Sequence, residues 1–134
     1  MKRREDWPDL LIEFIESRRD RPFVWGQNDC CIFAADWILL VTEIDYAADI
    51  RGTYNSGLGA LRILDAHEGL FGLVTKLTNL NCVPVKQAQR GDIVAQETEY
   101  GLTLGICIGV MSVFVAKDGL DFSPTADSRF VWRL

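Results

Sequence analysis

The sequence predicts an α+β domain in which N-terminal helices pack on a C-terminal antiparallel β-sheet. Two observations predict it. Apolar residues recur three and four apart through the first half, whereas after Pro84 they fall in short runs rich in valine, isoleucine and phenylalanine. An Asp-Gly pair between two of these runs signals a hairpin, and helices grouped before strands argue against alternating βαβ units. With 134 residues, 49% of them hydrophobic and 25% charged, the chain suits one domain around one core rather than a disordered segment.

Trp7, Leu10, Leu11, Phe14 and Ile15 make the stripe of a first amphipathic helix. Pro8 fits its first turn, where a missing N–H costs nothing, and the Arg18-Arg19-Asp20-Arg21-Pro22 stretch ends it. Asn28 or Asp29 can cap a second helix from Cys30 to Val41, whose apolar residues Phe33, Ala34, Trp37, Ile38 and Val41 predict a central, buried position. Residues 49–57 read as a loop. Ser56 caps a third helix through Leu58, Leu61 and Leu64 that ends near Gly69, and a short fourth is expected over 71–77.

Beyond Pro84, Gly91-Asp92-Ile93-Val94-Ala95 reads as a strand, and Leu102 to Met111 as one longer apolar run containing Gly105 and Gly109. Those glycines have no helix opening after them, so close strand packing explains them better than phosphate binding. Val113-Phe114-Val115 and Leu120-Asp121-Phe122 flank Lys117-Asp118-Gly119 as a hairpin, and Phe130-Val131-Trp132 supplies a last strand. Trp25, Trp37 and Trp132 are most simply core residues.

The net charge of -5 weighs against nucleic acid as a partner. The basic start runs into Trp7 and Pro8 rather than an apolar stretch, so neither a signal peptide nor membrane insertion is expected. The cysteines at 30, 31, 82 and 107 read as reduced thiols of a protein made in the cytoplasm. With one histidine and no CxxC pair, no metal or cofactor is expected.

Cys30 stands at a helix start, where unpaired N–H groups favour a thiolate, although the charge of Asp29 opposes it. A free cysteine can equally be a small buried hydrophobe. Cys31 is the rival thiol. Adjacent helical positions point about 100° apart, so one of the pair is expected to face away from any cleft the other lines.

Asp29-Cys30-Cys31-Ile32-Phe33 resembles the Asp-Cys-Ser-Gly-Phe segment of the NlpC-type papain-like cysteine hydrolases, which are bacterial cell-wall endopeptidases. Arg90-Gly91-Asp92-Ile93-Val94 resembles their Pro-Gly-Asp-Leu-Val strand. Thr103-Leu104-Gly105-Ile106-Cys107-Ile108-Gly109 resembles their His-Val-Gly-Ile-Tyr-x-Gly strand. Order and approximate spacing agree over residues 23–116. More closely, Arg21-Pro22-Phe23-x-Trp25-Gly26, Asp29-Cys30 and Phe33-Ala34-Ala35-Asp36-Trp37 resemble small phage and prophage proteins of related fold from tail gene neighbourhoods, a likeness that runs through Trp132.

The resemblance implies a papain-like fold with Cys30 at the nucleophile position. Its catalytic histidine would fall on Thr103, which is no base near neutral pH, and its polar third member near the apolar Phe114 or Val115. Loss of such a base costs orders of magnitude in rate. His67, on the third helix, is weighed as a substitute base against an ordinary residue near a helix C-terminus. Asp36 is weighed as a buried partner of Arg51 or another cation against an exposed carboxylate. Arg51-Gly52-x-Tyr54 is a loop that either lines a cleft or turns while Tyr54 covers the core. Asp29, Trp25, Asp36 and Arg51 are the expected site-lining residues.

Three readings follow. One is a catalytically degenerate papain-like domain in phage or prophage tail structure or assembly, with tail proteins as partners and a place in the virion tail. The alternative is a cysteine peptidase or amidase acting on peptidoglycan peptides through Cys30, its base supplied by His67, a water or a partner chain. A small-molecule-binding module reusing the groove is the third.

Overall fold

The computed structural model describes residues 3–134. Helix α1, Trp7–Arg18, carries its proline in the first turn and buries Leu11, Phe14 and Ile15. Helix α2, Cys30–Thr42, buries Ile32, Phe33, Ala34, Ala35, Trp37, Ile38 and Val41, so it is enclosed on almost every side. It ends on Glu43, a left-handed residue (φ 64°) whose N–H donates to the Leu39 carbonyl.

Helix α3, Gly57–Ala66, is capped by Ser56 as expected, yet none of its residues is buried. It ends three residues before Gly69. Glu68 and Gly69 both take positive φ, which turns the chain directly into α4, Gly69–Thr78, longer than the segment expected. Helix α4 packs Leu70, Leu73 and Val74 inward.

Among the described residues the sheet has six antiparallel strands: β1 Cys82–Val83, β2 Ile93–Thr98, β3 Gly101–Cys107, β4 Met111–Ala116, β5 Gly119–Pro124 and β6 Phe130–Trp132. Their spatial order is β1-β6-β2-β3-β4-β5. The two-residue β1 carried no pattern of its own and was not expected. The long run 102–111 divides between two strands, because Gly109 (φ 125°) makes the turn between β3 and β4. Of the two glycines in this run, Gly105 owes its place to close packing: a Cβ there would lie 2.4 Å from the Phe114 ring.

One sheet face, with Ile93, Ala95, Leu104, Ile106, Val113, Val115 and Trp132, meets the helices around Phe14, Phe33 and Trp37. The other face gathers Val94, Cys107, Phe114 and Val131 into a smaller cluster. The Trp37 indole N–H donates to the Gly91 carbonyl at 2.9 Å, tying α2 to the start of β2. No helix among the described residues is long and apolar enough to cross a membrane.

The strand pairing also sets an opening. The β2–β3 hairpin pairs from Ile93↔Ile106 to Thr98↔Gly101, and β4–β5 from Met111↔Pro124 to Ala116↔Gly119. These two hairpins share only the register pairs Ile106↔Val113 and Cys107↔Ser112. The tip of the second is held back toward α1, where Leu120 N–H donates to the Arg19 carbonyl at 3.0 Å and Phe23 N–H to the Lys117 carbonyl at 3.1 Å. A cleft lies where the two hairpin ends face the start of α2.

Candidate functional site

The segment before α2 is folded by local hydrogen bonds. Val24 and Asn28 pair as a bridge, and Gly26 turns between them at φ 77°. Glycine is required there twice over, since a Cβ would also sit 2.2 Å from the Tyr54 carbonyl oxygen. The turn delivers Asp29 as the helix cap: its Oδ1 accepts from Ile32 N–H at 2.9 Å. Its Oδ2 accepts from Gly26 N–H at 2.9 Å and from the Tyr54 hydroxyl. Asp29 is buried, and its carboxylate is engaged by three donors.

That cap places Cys30 at the first helical position, half-buried, with its Sγ 3.9 Å from the Cys31 Sγ. The Cys30 thiol is held below the ordinary thiol value. The hydrogen bond from the Cys31 thiol is the main cause, helped by the backbone of Leu104 and Cys31 and opposed by burial and the Asp29 charge. Cys31 is pushed well above it, first by that same bond to Cys30, then by burial and the charges of Cys30 and Asp29. Of the two, Cys30 is therefore the thiol favoured to ionise first. Burial and the bond to Asp29 push the Tyr54 phenol up, so it remains a donor.

The cleft holds about 980 Å³ and is bordered by Trp25, Asp29, Cys30, Cys31, Tyr54 and Thr103, among others. Both cysteines border it, contrary to the expectation that one would face away. At the first turn the sheet lies across the helix end, so side chains 100° apart still reach one concavity. Trp25 belongs to the rim rather than the core: it is 39% exposed, edge-on to Phe23 with ring centroids 4.7 Å apart. Trp37 and Trp132 are fully buried.

Three other residues stand apart from the cleft. His67, half-buried at the end of α3, does not border it; its Nδ1 bonds the Ile63 carbonyl at 2.8 Å. Asp36 and Arg51 do not line the site as expected; they form an ion-pair cluster, the partnership with Arg51 that was weighed for Asp36. Arg18 and Arg51 hold Asp36 at 2.8 and 2.6 Å, and Arg51 reaches Asp45 at 2.8 Å. Neither Asp36 nor Arg51 borders the cleft, because Asp36 projects from the side of α2 toward α1 and the 45–51 loop. Phe114 and Val115 do border it, as apolar wall.

Sequence reasoning raised Tyr54 only as a loop residue and missed its bond to Asp29, and it missed the Leu104 backbone beside Cys30 altogether. Both contacts join segments far apart in the chain, and no local pattern announces either.

Over residues 2–134 the chain matches the family model of DUF6950, a domain of unknown function, and it belongs to that family. No curated protein matches it.

Proposed function

We propose that this chain is an NlpC-type papain-like domain whose hydrolytic chemistry has degenerated, serving in the structure or assembly of a phage or prophage tail. One observation carries the loss of chemistry: the wall around Cys30 contains no imidazole. Thr103 stands where the resemblance places the histidine, Phe114 and Val115 supply only apolar surface, and the single histidine, His67, lies off the cleft. A thiolate without a positioned acid can attack a carbonyl but cannot protonate a leaving amine efficiently. The tail role rests on the Arg-Pro-Phe-x-Trp-Gly and Asp-Cys likeness.

The test is deletion of the gene from a phage or prophage that carries it, with counting of tailed particles. Loss of tails, restored equally by wild type and by Cys30→Ala, is the expected result. Normal tails after deletion overturn the proposal.

The alternative, cleavage of peptidoglycan peptides through Cys30, draws support from the lowered Cys30 thiol facing an open cleft. Incubation with soluble peptidoglycan peptides decides between them. Products that vanish in Cys30→Ala replace the first reading with the second.

A further inference from the structure

We propose that Cys30 and Cys31 form a hydroperoxide-responsive dithiol, in which Cys30 is oxidised first and Cys31 captures it as a reversible disulfide within one chain. This holds whether the cleft hydrolyses, binds or only assembles.

Three observations carry it. Both thiols border the same open cleft, so a small hydroperoxide reaches them together. Their sulfurs lie 3.9 Å apart, and the other two cysteines sit elsewhere: Cys82 is exposed on β1, and Cys107 is buried on the far sheet face with its thiol donating to the Gly109 carbonyl. The roles are also unequal, since Cys30 opens α2 at its first helical position and has the Cys31 thiol 3.9 Å away to stabilise negative sulfur, a contact that lowers Cys30 and raises Cys31.

In the first step the Cys30 thiolate attacks one oxygen of ROOH. The O–O bond breaks, the alkoxide leaves as ROH after taking a proton from water, and Cys30 becomes a sulfenic acid. The negative sulfur that held the proton on Cys31 is then gone. Cys31 gives up its proton and attacks the Cys30 sulfur; the S–O bond breaks, and hydroxide departs with that proton as water. Counting the proton that Cys30 released on ionising, which neutralises the hydroxide left when the alkoxide takes its proton from water, two thiols and ROOH yield one disulfide, ROH and water.

Position makes the step accessible. Cys30 and Cys31 open α2, where backbone N–H groups have no partner within the helix, so the first turn can distort with few backbone bonds lost. It also makes the bond labile: consecutive Cα atoms lie about 3.8 Å apart, short of the ~4.4–6.8 Å that disulfides prefer. Strained disulfides of this kind are easily reduced. Oxidation would withdraw the thiolate from the cleft, and reduction would restore it.

The experiment treats the reduced protein, carrying Cys82→Ser to prevent cross-linking between chains, with hydrogen peroxide. Remaining thiols are then alkylated and the peptides mapped by mass spectrometry. Loss of two hydrogens on the single peptide holding both cysteines, reversed by dithiothreitol, is expected, with Cys107 still alkylated. In Cys31→Ser, Cys30 should accumulate as a dimedone-reactive sulfenic acid before passing slowly to sulfinic acid; in Cys30→Ser, oxidation of Cys31 should slow by about tenfold or more. If wild-type Cys30 instead passes to sulfinic acid while Cys31 remains alkylatable, or if neither thiol reacts before Cys107, the proposal fails. The map of the protein carrying Cys82→Ser alone decides this even if a further variant does not fold.

Discussion

Two aspartates, Asp29 before α2 and Asp92 before β2, are almost equally buried, at 3% and 0% exposure, yet they do different work. Asp92 accepts from Gln89 N–H at 2.8 Å, from Leu134 N–H at 3.1 Å and from the Arg133 guanidinium at 3.1 Å. Its charge is met by a cation, and the carboxylate fastens the C-terminus over the entry to the central strand. Asp29 is met only by dipoles, the N–H groups of Gly26 and Ile32 and the Tyr54 hydroxyl, with no ion pair among the described residues. A cation beside a buried charge offsets part of its field, as Arg133 opposes Asp92 at Arg3, whereas dipoles alone leave more of the charge acting on its neighbours. The neighbour of Asp29 is Cys30.

The largest expected effect breaks the side offset by a cation. Asp92→Ala strips partners from Arg133 and two backbone N–H groups, and should cost about 3 kcal/mol in urea unfolding. The alkylation rate of Cys30 in the remaining folded protein should not change; a change would mean that the two sites communicate.

Asp29→Asn tests the other side. The Oδ1 cap can persist, but an amide NH₂ would then face the Gly26 N–H, so a loss of roughly 1–2 kcal/mol is expected. Removing the negative charge also favours the Cys30 thiolate, which should move the pH profile of Cys30 alkylation to lower pH. An unchanged profile would mean that the Asp29 charge does not act on Cys30.

Tyr54→Phe removes one hydrogen bond to a charged acceptor, about 1.5 kcal/mol, and leaves the two backbone donors to Asp29 in place. Less of the Asp29 charge is then taken up locally, so Cys30 alkylation should shift toward higher pH, opposite to Asp29→Asn. In the double variant the Tyr54 effect should disappear, which a double-mutant cycle reads directly.

The smallest effect lies at the Asp45–Arg51 pair, a surface reference for both buried carboxylates. The hydrogen bond from Arg51 holds the Asp45 carboxyl below its usual value. Its stabilisation is therefore present above the unfolded pKa of about 3.9 and is lost as pH falls through the lower folded value. Asp45→Asn should cost about 0.5–1 kcal/mol near neutrality and nothing measurable near pH 2, when unfolding midpoints are compared at the two pH values.

What could be read from the sequence was whatever is written locally. The Trp7–Ile15 stripe, the Asn28-Asp29 and Ser56 cap signals and the Lys117-Asp118-Gly119 turn each depend on residues a few positions apart, so they announce α1, α2, α3 and the β4–β5 hairpin, with Asp29 rather than Asn28 taking the cap in the structure. The helix start at Cys30 was legible for the same reason. The tertiary structure alone decided the rest: that the two hairpins share so little pairing and a cleft opens at their ends, that both thiols border it, that Tyr54 reaches Asp29, and that the Asp36–Arg51 pair lies off the cleft. Hydrogen-bonded caps and periodic faces act over one or two turns of chain. Which side chains share a cavity depends on how helices and sheet stack, and that is settled by burial of the core rather than by any short pattern.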